Sequence, residues 1–312
     1  MSASAITAAP NRTLAAGALV LAYTAVVGLS DNLVRIVAPD YGLWQFHATR
    51  SVIVAALILA LGRALGWRVR PHNWRAVAVR SALHGLALLI YFGCLAVIPV
   101  AQAVAGMFTA PVFVLIFGRL FFGQTLGFWR VLAVATGFAG VVLVVAPQGL
   151  DGLRVASLLP LGAGALYALG NIVTREWCAG EPPAALTLGF FGALMLLGLG
   201  GIAALAAFPV PVPPGSEGFI ARGWVAPDGA FLMWVCLMAA GAAVGVGMGV
   251  VAYQIADTGR VSVFEYALLP FSAFWAWMLW GEAVGPAGLA GMALIAAAGA
   301  MIAARARAEP AP

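Results

Sequence analysis

The sequence predicts an all-α membrane protein of ten transmembrane helices, arranged as two inverted five-helix repeats around a central cavity. Three observations carry this expectation. The composition is too apolar for a water-soluble domain: 63% of the 312 residues are hydrophobic, 9% are charged, and the mean hydropathy is +1.02. Apolar runs of about 20 residues recur along the chain, each long enough at ~1.5 Å per residue to cross a ~30 Å hydrocarbon core. The second half also echoes the first, and an odd number of spans per copy makes the two copies enter the membrane in opposite directions.

The runs lie at 14–37, 43–62, 76–97, 100–122, 128–146, 155–175, 185–208, 230–256, 261–281 and 286–304. Lipid offers an irregular backbone no hydrogen-bond partner, and the runs are too long and unbroken for barrel strands, so helices are required. The first follows eleven small and polar residues and has no cleavage site behind it, so it reads as a retained span rather than a signal peptide. Residues 14–146 form the first repeat and 155–304 the second. Residues 209–229 hold Pro209, Pro211, Pro213, Pro214 and Pro227 and make the one long loop, placed outside.

All sixteen basic residues are arginine. Most, among them Arg12, Arg63, Arg68, Arg70, Arg75, Arg130 and Arg305, fall at span ends on one side, against Arg154 and Arg222 on the other. The positive-inside rule puts that richer side, and with it both termini, in the cytoplasm. Loop topology therefore accounts for the net charge of +5, which is no sign of nucleic-acid binding. Cys94, Cys178 and Cys236 show no CxxC spacing, so neither a disulfide framework nor a metal site is indicated. The chain has no Walker-type loop and no lysine to complete one, no HExxH and no GxSxG, and no cofactor is implied.

The repeat is legible at residue level. Asn32, Leu33, Val34 and Arg35 in span 1 are echoed by Asn171, Ile172, Val173 and Arg175 in span 6. Pro111, an aromatic-rich stretch and Gly123-Gln124 are echoed by Pro270, a similar stretch and Gly281-Glu282. Gly137 and Gly140 in span 5 answer to Gly291 and Gly299 in span 10. The order and near-constant offset carry the weight.

With Arg50 early in span 2, the small-residue run Ala96 to Ala105 ahead of Pro111, and Gly281-Glu282 closing span 9, the chain resembles the EamA-type branch of the drug/metabolite transporter superfamily. Ser30, Asp31, Asn32, Trp44, Gln45, Phe46 and Arg50 look most like bacterial members proposed to carry amino acids, S-adenosylmethionine or vitamins. The resemblance covers about 14–304. It implies a bacterial inner-membrane transporter working by alternating access, with a cavity lined by spans 1, 3, 4, 6, 8 and 9. One departure is Gln124, where the family often has Glu; if that acid serves coupling in relatives, Glu282 alone can do so here.

Charges inside spans are costly and mark candidate sites. Asp31 and Arg35 stand one turn apart on span 1, either as a structural pair or as a substrate clamp. Arg50 is able to hold a carboxylate bidentately or to order the corner between spans 1 and 2, with His47 beside it. His84, in mid-span near Arg80, is a candidate proton relay or a neutral histidine bonded to a carbonyl. Glu265 falls opposite Gly106 of the first repeat; it is a candidate proton carrier or counter-charge for an ammonium, or else the partner of Arg260 or Arg80. Glu282 is a further coupling candidate or a helix cap. Asn32 and Asn171 occupy matching places, as helix glue or as substrate hydrogen-bonders. Tyr91, Tyr167 and Tyr266 are deep enough to line a pocket.

These readings point to secondary transport of small polar or amphipathic metabolites, with protons as a candidate coupling partner and either a monomer or a homodimer as the unit. Mixed charge in the cavity favours zwitterions. An intramembrane enzyme requires Asp31, Arg50, His84 and Glu265 to converge on one reacting point, and a non-transporting subunit requires a filled centre.

Overall fold

The computed structural model describes residues 12–94, 106–145 and 158–308, and among these every regular element is helical. The Ala96–Ala105 run, Arg154 and the N-terminal eleven residues lie outside the described residues. The first half holds α1 (Thr13–Val37), α2 (Leu43–Leu65), α3 (Trp74–Cys94), α4 (Ala110–Phe122) and α5 (Phe128–Val145). The second holds α6 (Leu159–Glu176), α7 (Pro183–Ala207), α8 (Gly229–Ile255), α9 (Thr258–Phe264), α10 (Leu268–Trp280) and α11 (Pro286–Ala308). Seven segments are long and apolar enough to cross a membrane by themselves, counting α9 and α10 as one, and two shorter apolar helices join them.

Most observed bounds lie within a few residues of the expected runs; the start of the run expected at 100–122 lies outside the described residues, and two runs differ in kind. The run expected at 261–281 is not one helix: α9 and α10 are separated by a 3-10 turn at Glu265–Ala267. Pro270 supplies the reason, because its ring crowds the carbonyl four residues back, at Tyr266, and it has no N–H to bond there. The first half shows the same device. Helix is interrupted at Phe108 and Thr109, ahead of Pro111, and the Thr109 hydroxyl donates to the Gly106 carbonyl at 2.5 Å.

Packing follows the repeat. α1 packs on α8 as α3 packs on α6, α1 on α10 as α4 on α6, and α2 on α8 as α3 on α7. The pairs α2·α7 and α5·α11 join equivalent helices. Every one of these contacts survives exchange of the two halves, as two inverted copies require. In the α5·α11 pair, a Cβ on Gly140 would meet the Gly291 carbonyl at 2.6 Å, so glycine is what lets these backbones touch.

The matched glycines also explain the matched ends. Gly123 and Gly281 take φ of 63° and 69° and terminate α4 and α10 in the left-handed conformation. The residue after each then reaches the last turn of an equivalent helix: Gln124 donates to Glu176 on α6 at 3.2 Å, and Glu282 accepts from Arg35 on α1 at 2.5 Å. Arg35 thus pairs with Glu282, 247 positions away, rather than with Asp31 one turn back. Both partners are about half exposed, so the pair is worth at most about 1 kcal/mol.

Both ends of the bundle are tied by loop contacts. At one end the Arg222 guanidinium donates to the Ala38 and Tyr41 carbonyls, and Gln45 exchanges two hydrogen bonds with Val225, pinning the long loop onto the α1–α2 corner. At the other, the Glu181 carboxylate accepts from the His72 and Asn73 backbone N–H groups at 2.7 and 2.6 Å. Burial alone pushes this carboxyl up, but those two amides and the nearby His72 ring outweigh it and hold it below the ordinary carboxylate range.

A carboxylate held low stabilises the fold above its unfolded pKa, and the stabilisation is lost as pH falls through the folded value. Glu181→Gln is therefore expected to lower stability at neutral pH by roughly 1–3 kcal/mol, and to flatten the acid limb of a plot of thermal midpoint against pH. Identical wild-type and variant profiles in detergent would refute the contribution.

Candidate functional site

At the centre of the bundle lies a cavity of about 140 Å³ that draws polar groups from both halves. Tyr23 on α1 and His84 on α3 each stand about ten residues into their helices, some 15 Å deep at ~1.5 Å per residue, near the middle of a ~30 Å core. A larger recess of about 700 Å³ faces lipid between α1, α9, α10 and α11. Its walls, such as Phe271, Met292 and Ile295, are apolar, so volume does not make it a site for a polar solute.

Glu265 occupies the break between α9 and α10 and is only 6% exposed. The Tyr23 hydroxyl donates to its carboxylate at 2.5 Å and the Tyr167 hydroxyl at 2.9 Å. Tyr253 on α8 lines the same cavity, and its hydroxyl makes no hydrogen bond among the described residues. The acid is thus held by neutral donors from α1 and α6 and not by Arg80, which is turned away: its Nε donates to Thr174 Oγ1 at 3.0 Å and its Nη1 to the Leu186 carbonyl at 2.8 Å.

His84 sits between Arg80 and Asn171. Its Nδ1 lies 3.0 Å from the Arg80 carbonyl and its Nε2 3.0 Å from the Asn171 side chain. A neutral ring satisfies both contacts when Nδ1–H donates to the carbonyl and the Asn171 amide presents its NH2 to Nε2, which also gives the otherwise unpartnered Asn171 Nδ2 a bond. Gly170 makes the approach possible, since any Cβ there would run into the imidazole. The ring stands edge-on to Tyr167 at 5.1 Å, so His84 and Glu265 flank one tyrosine without touching each other.

Arg50 on α2 closes the opposite side of the cavity. It is 6% exposed, its guanidinium carbon lies over the Phe46 ring at 4.8 Å, and its one polar contact among the described residues is Nη2 to His47 Nδ1 at 3.3 Å. Asp31 attracts it from beyond ion-pair distance.

Of the residues singled out in the sequence, Arg50, His84, Tyr167, Asn171 and Glu265 are therefore brought together around one cavity. The others lie elsewhere. Asn32 joins α1 to α10, donating to the Gly28 and Ser272 carbonyls at 2.8 and 3.1 Å. Tyr266 is wholly buried against Phe108 and the backbone of Gly137. Asp31 is exposed and, with Tyr91, belongs to the Arg50 side, where the two are coupled electrostatically. Glu282 pairs with Arg35 at the end of the bundle. Tyr23, Tyr253, Arg80, Phe190 and Phe191 line the cavity and were not among the candidates. A tyrosine in mid-span was the available signal, because its hydroxyl must find a partner in a medium without water.

Residues 14–146 match the EamA-like transporter family. A riboflavin transporter of Rhizobium johnstonii is 30% identical over 221 residues, which cover 70% of this chain and 66% of that protein. A riboflavin transporter of Brucella anthropi is 30% identical over 242 residues, 77% of this chain and 78% of that one. A solved crystal structure superposes with a TM-score of 0.77 at 19% identity, covering 95% of this chain and 99% of its own, a likeness of fold.

Removing one donor from a buried carboxylate costs about 1–3 kcal/mol. Tyr23→Phe is expected to lower the thermal midpoint in detergent, and a cycle with Glu265→Gln to give a coupling energy of about 1 kcal/mol or more. Strictly additive effects would mean that the two groups do not share a bond.

Proposed function

The chain belongs to the EamA-like transporter family, and from that premise we propose that it carries a small amphipathic, vitamin-like solute through the central cavity by alternating access. One observation carries the reading: a cavity that gathers charged and polar side chains from both halves lies at mid-membrane depth in an otherwise apolar bundle. Such a cavity does not suit a passive packing subunit. Nor do its groups converge as an enzyme needs, since His84 faces Asn171 and the Arg80 carbonyl while Glu265 faces tyrosines.

A flat solute is favoured by the aromatic walls, Tyr23, Tyr167, Tyr253, Phe190 and Phe191, and by two relatives named as riboflavin transporters. The cavity of about 140 Å³ is smaller than the roughly 300–1,000 Å³ of ordinary ligand pockets. The described cavity is accordingly too small for such a solute, and transport requires it to enlarge toward each face in turn. The paired interruptions at Phe108–Thr109 and Glu265–Ala267, each just ahead of a proline, are the hinges we assign to that motion. Arginine-rich ends support an orientation with both termini in the cytoplasm of a bacterial inner-membrane protein.

Glu265 is the proton carrier in this scheme. It is the one carboxylate lining the cavity, and tyrosine hydroxyls rather than a fixed cation hold it, so gain or loss of a proton breaks no ion pair with Arg80.

The test is uptake into proteoliposomes of riboflavin, amino acids, S-adenosylmethionine and quaternary amines, with and without a pH gradient. Saturable riboflavin uptake that responds to the gradient in wild type, and loses the response in Glu265→Gln, is the expected result. A response retained by the variant would remove Glu265 from coupling, and a different solute carried in place of riboflavin would replace the vitamin-like assignment.

A further inference from the structure

Three buried polar atoms on one face of α2 have no partner among the described residues. His47 Nε2, Arg50 Nε and Ser51 Oγ belong to residues that are 2%, 6% and 1% exposed, and positions 47, 50 and 51 follow the i, i+3, i+4 spacing of a single helix face. More than nine in ten buried polar groups in folded proteins are bonded, so three orphans within one turn require an occupant. Arg50 gives the stripe its access, because its side chain lines the central cavity.

Bonding decides what kind of occupant fits. Of the two cations lining the cavity, Arg80 is already bonded to Thr174 and the Leu186 carbonyl, whereas the Arg50 Nε is open. What the stripe lacks is hydrogen-bond acceptors, and the rings that flank the guanidinium, Phe46 at 4.8 Å and Phe191 at 5.8 Å, suit a flat ligand beside it. We propose that His47, Arg50 and Ser51 form the subsite that receives the acceptor edge of a planar heteroaromatic substrate, with adjacent ring nitrogen and carbonyl acceptors directed at Arg50. This deepens the transport reading above and rests on it. The opposite end of the substrate then lies toward Tyr23, Tyr167 and Glu265.

The experiment compares uptake of riboflavin with that of 5-deazariboflavin, in which one ring nitrogen acceptor beside a carbonyl is replaced by C–H, in proteoliposomes of wild type, Arg50→Gln, Arg50→Lys and Ser51→Ala. One charge-assisted hydrogen bond corresponds to about tenfold or more in affinity. Wild type is expected to show a half-saturation concentration about tenfold higher for the analogue. Both Arg50 variants are expected to bring the ratio within about twofold by weakening riboflavin alone, Lys because it lacks the planar fork. Ser51→Ala, which leaves charge and helix intact, should reduce the ratio and keeps the test open where an Arg50 variant does not fold.

A ratio unchanged in folded variants overturns the subsite and leaves transport standing. So does a wild type that treats the two flavins alike, or one in which Arg50 selects for phenylalanine, a carboxylate, instead. Absence of saturable uptake of every probe overturns the transport reading itself, and the subsite with it.

Discussion

Hydrocarbon offers no hydrogen-bond partner, and that constraint decides almost everything in this molecule. Backbone groups are satisfied within helices, so the chain is a sequence of helices joined at two faces. Side-chain polar groups must be satisfied by the protein itself, so each one inside a span marks either a bond between helices or a place kept for something else. Asn32 and Trp275 are of the first kind, bonding carbonyls across the α1·α10 contact. Glu265, His84 and Asn171 gather at the centre, and the unpartnered atoms of α2 lie on the Arg50 side of it.

The scaffold is symmetric and the site is not. Helix contacts, glycine caps, proline-induced interruptions and even the residues that follow the caps repeat between the halves. The groups with chemistry do not. Glu265 corresponds to Gly106, whose lack of a side chain lets Pro160 press against its backbone. Asn32 and Asn171 correspond in sequence, yet the first meets the Ser272 carbonyl and the second an imidazole. Duplication supplied a frame with two equivalent ways of packing, and substitution on one copy supplied recognition.

Much of this was readable in the chain because lipid makes hydrophobic length a direct measure of a span. The helix bounds, the repeat and five of the cavity residues follow from asking where a polar side chain interrupts an apolar run. What stayed hidden depended on direction and distance. Glu265 and Tyr266 are neighbours in sequence but about 120° apart around the 3-10 turn, and only the acid turns to the cavity while the tyrosine enters the α5 contact beneath Gly137. Tyr23 and Tyr253 sit in largely apolar runs beside the uncharged Thr24 and Gln254, which do not distinguish them from anchors. Arg35 has an acid one turn away and bonds another 247 positions along, a choice made by the helix end brought beside it.

The unmatched carboxylate has a kinetic meaning. A carrier assembled from two identical inverted copies would sit with equal ease facing either side, and its empty form would return as fast as it left. With Glu265 clasped by Tyr23 and Tyr167, and only glycine at the corresponding place, the two facings are no longer degenerate. In the alternating-access cycle proposed above, the empty carrier would then rest more often on one side, and the half-saturation constants at the two faces would differ. Such a carrier would act as a partial rectifier, with part of its bias written at position 265.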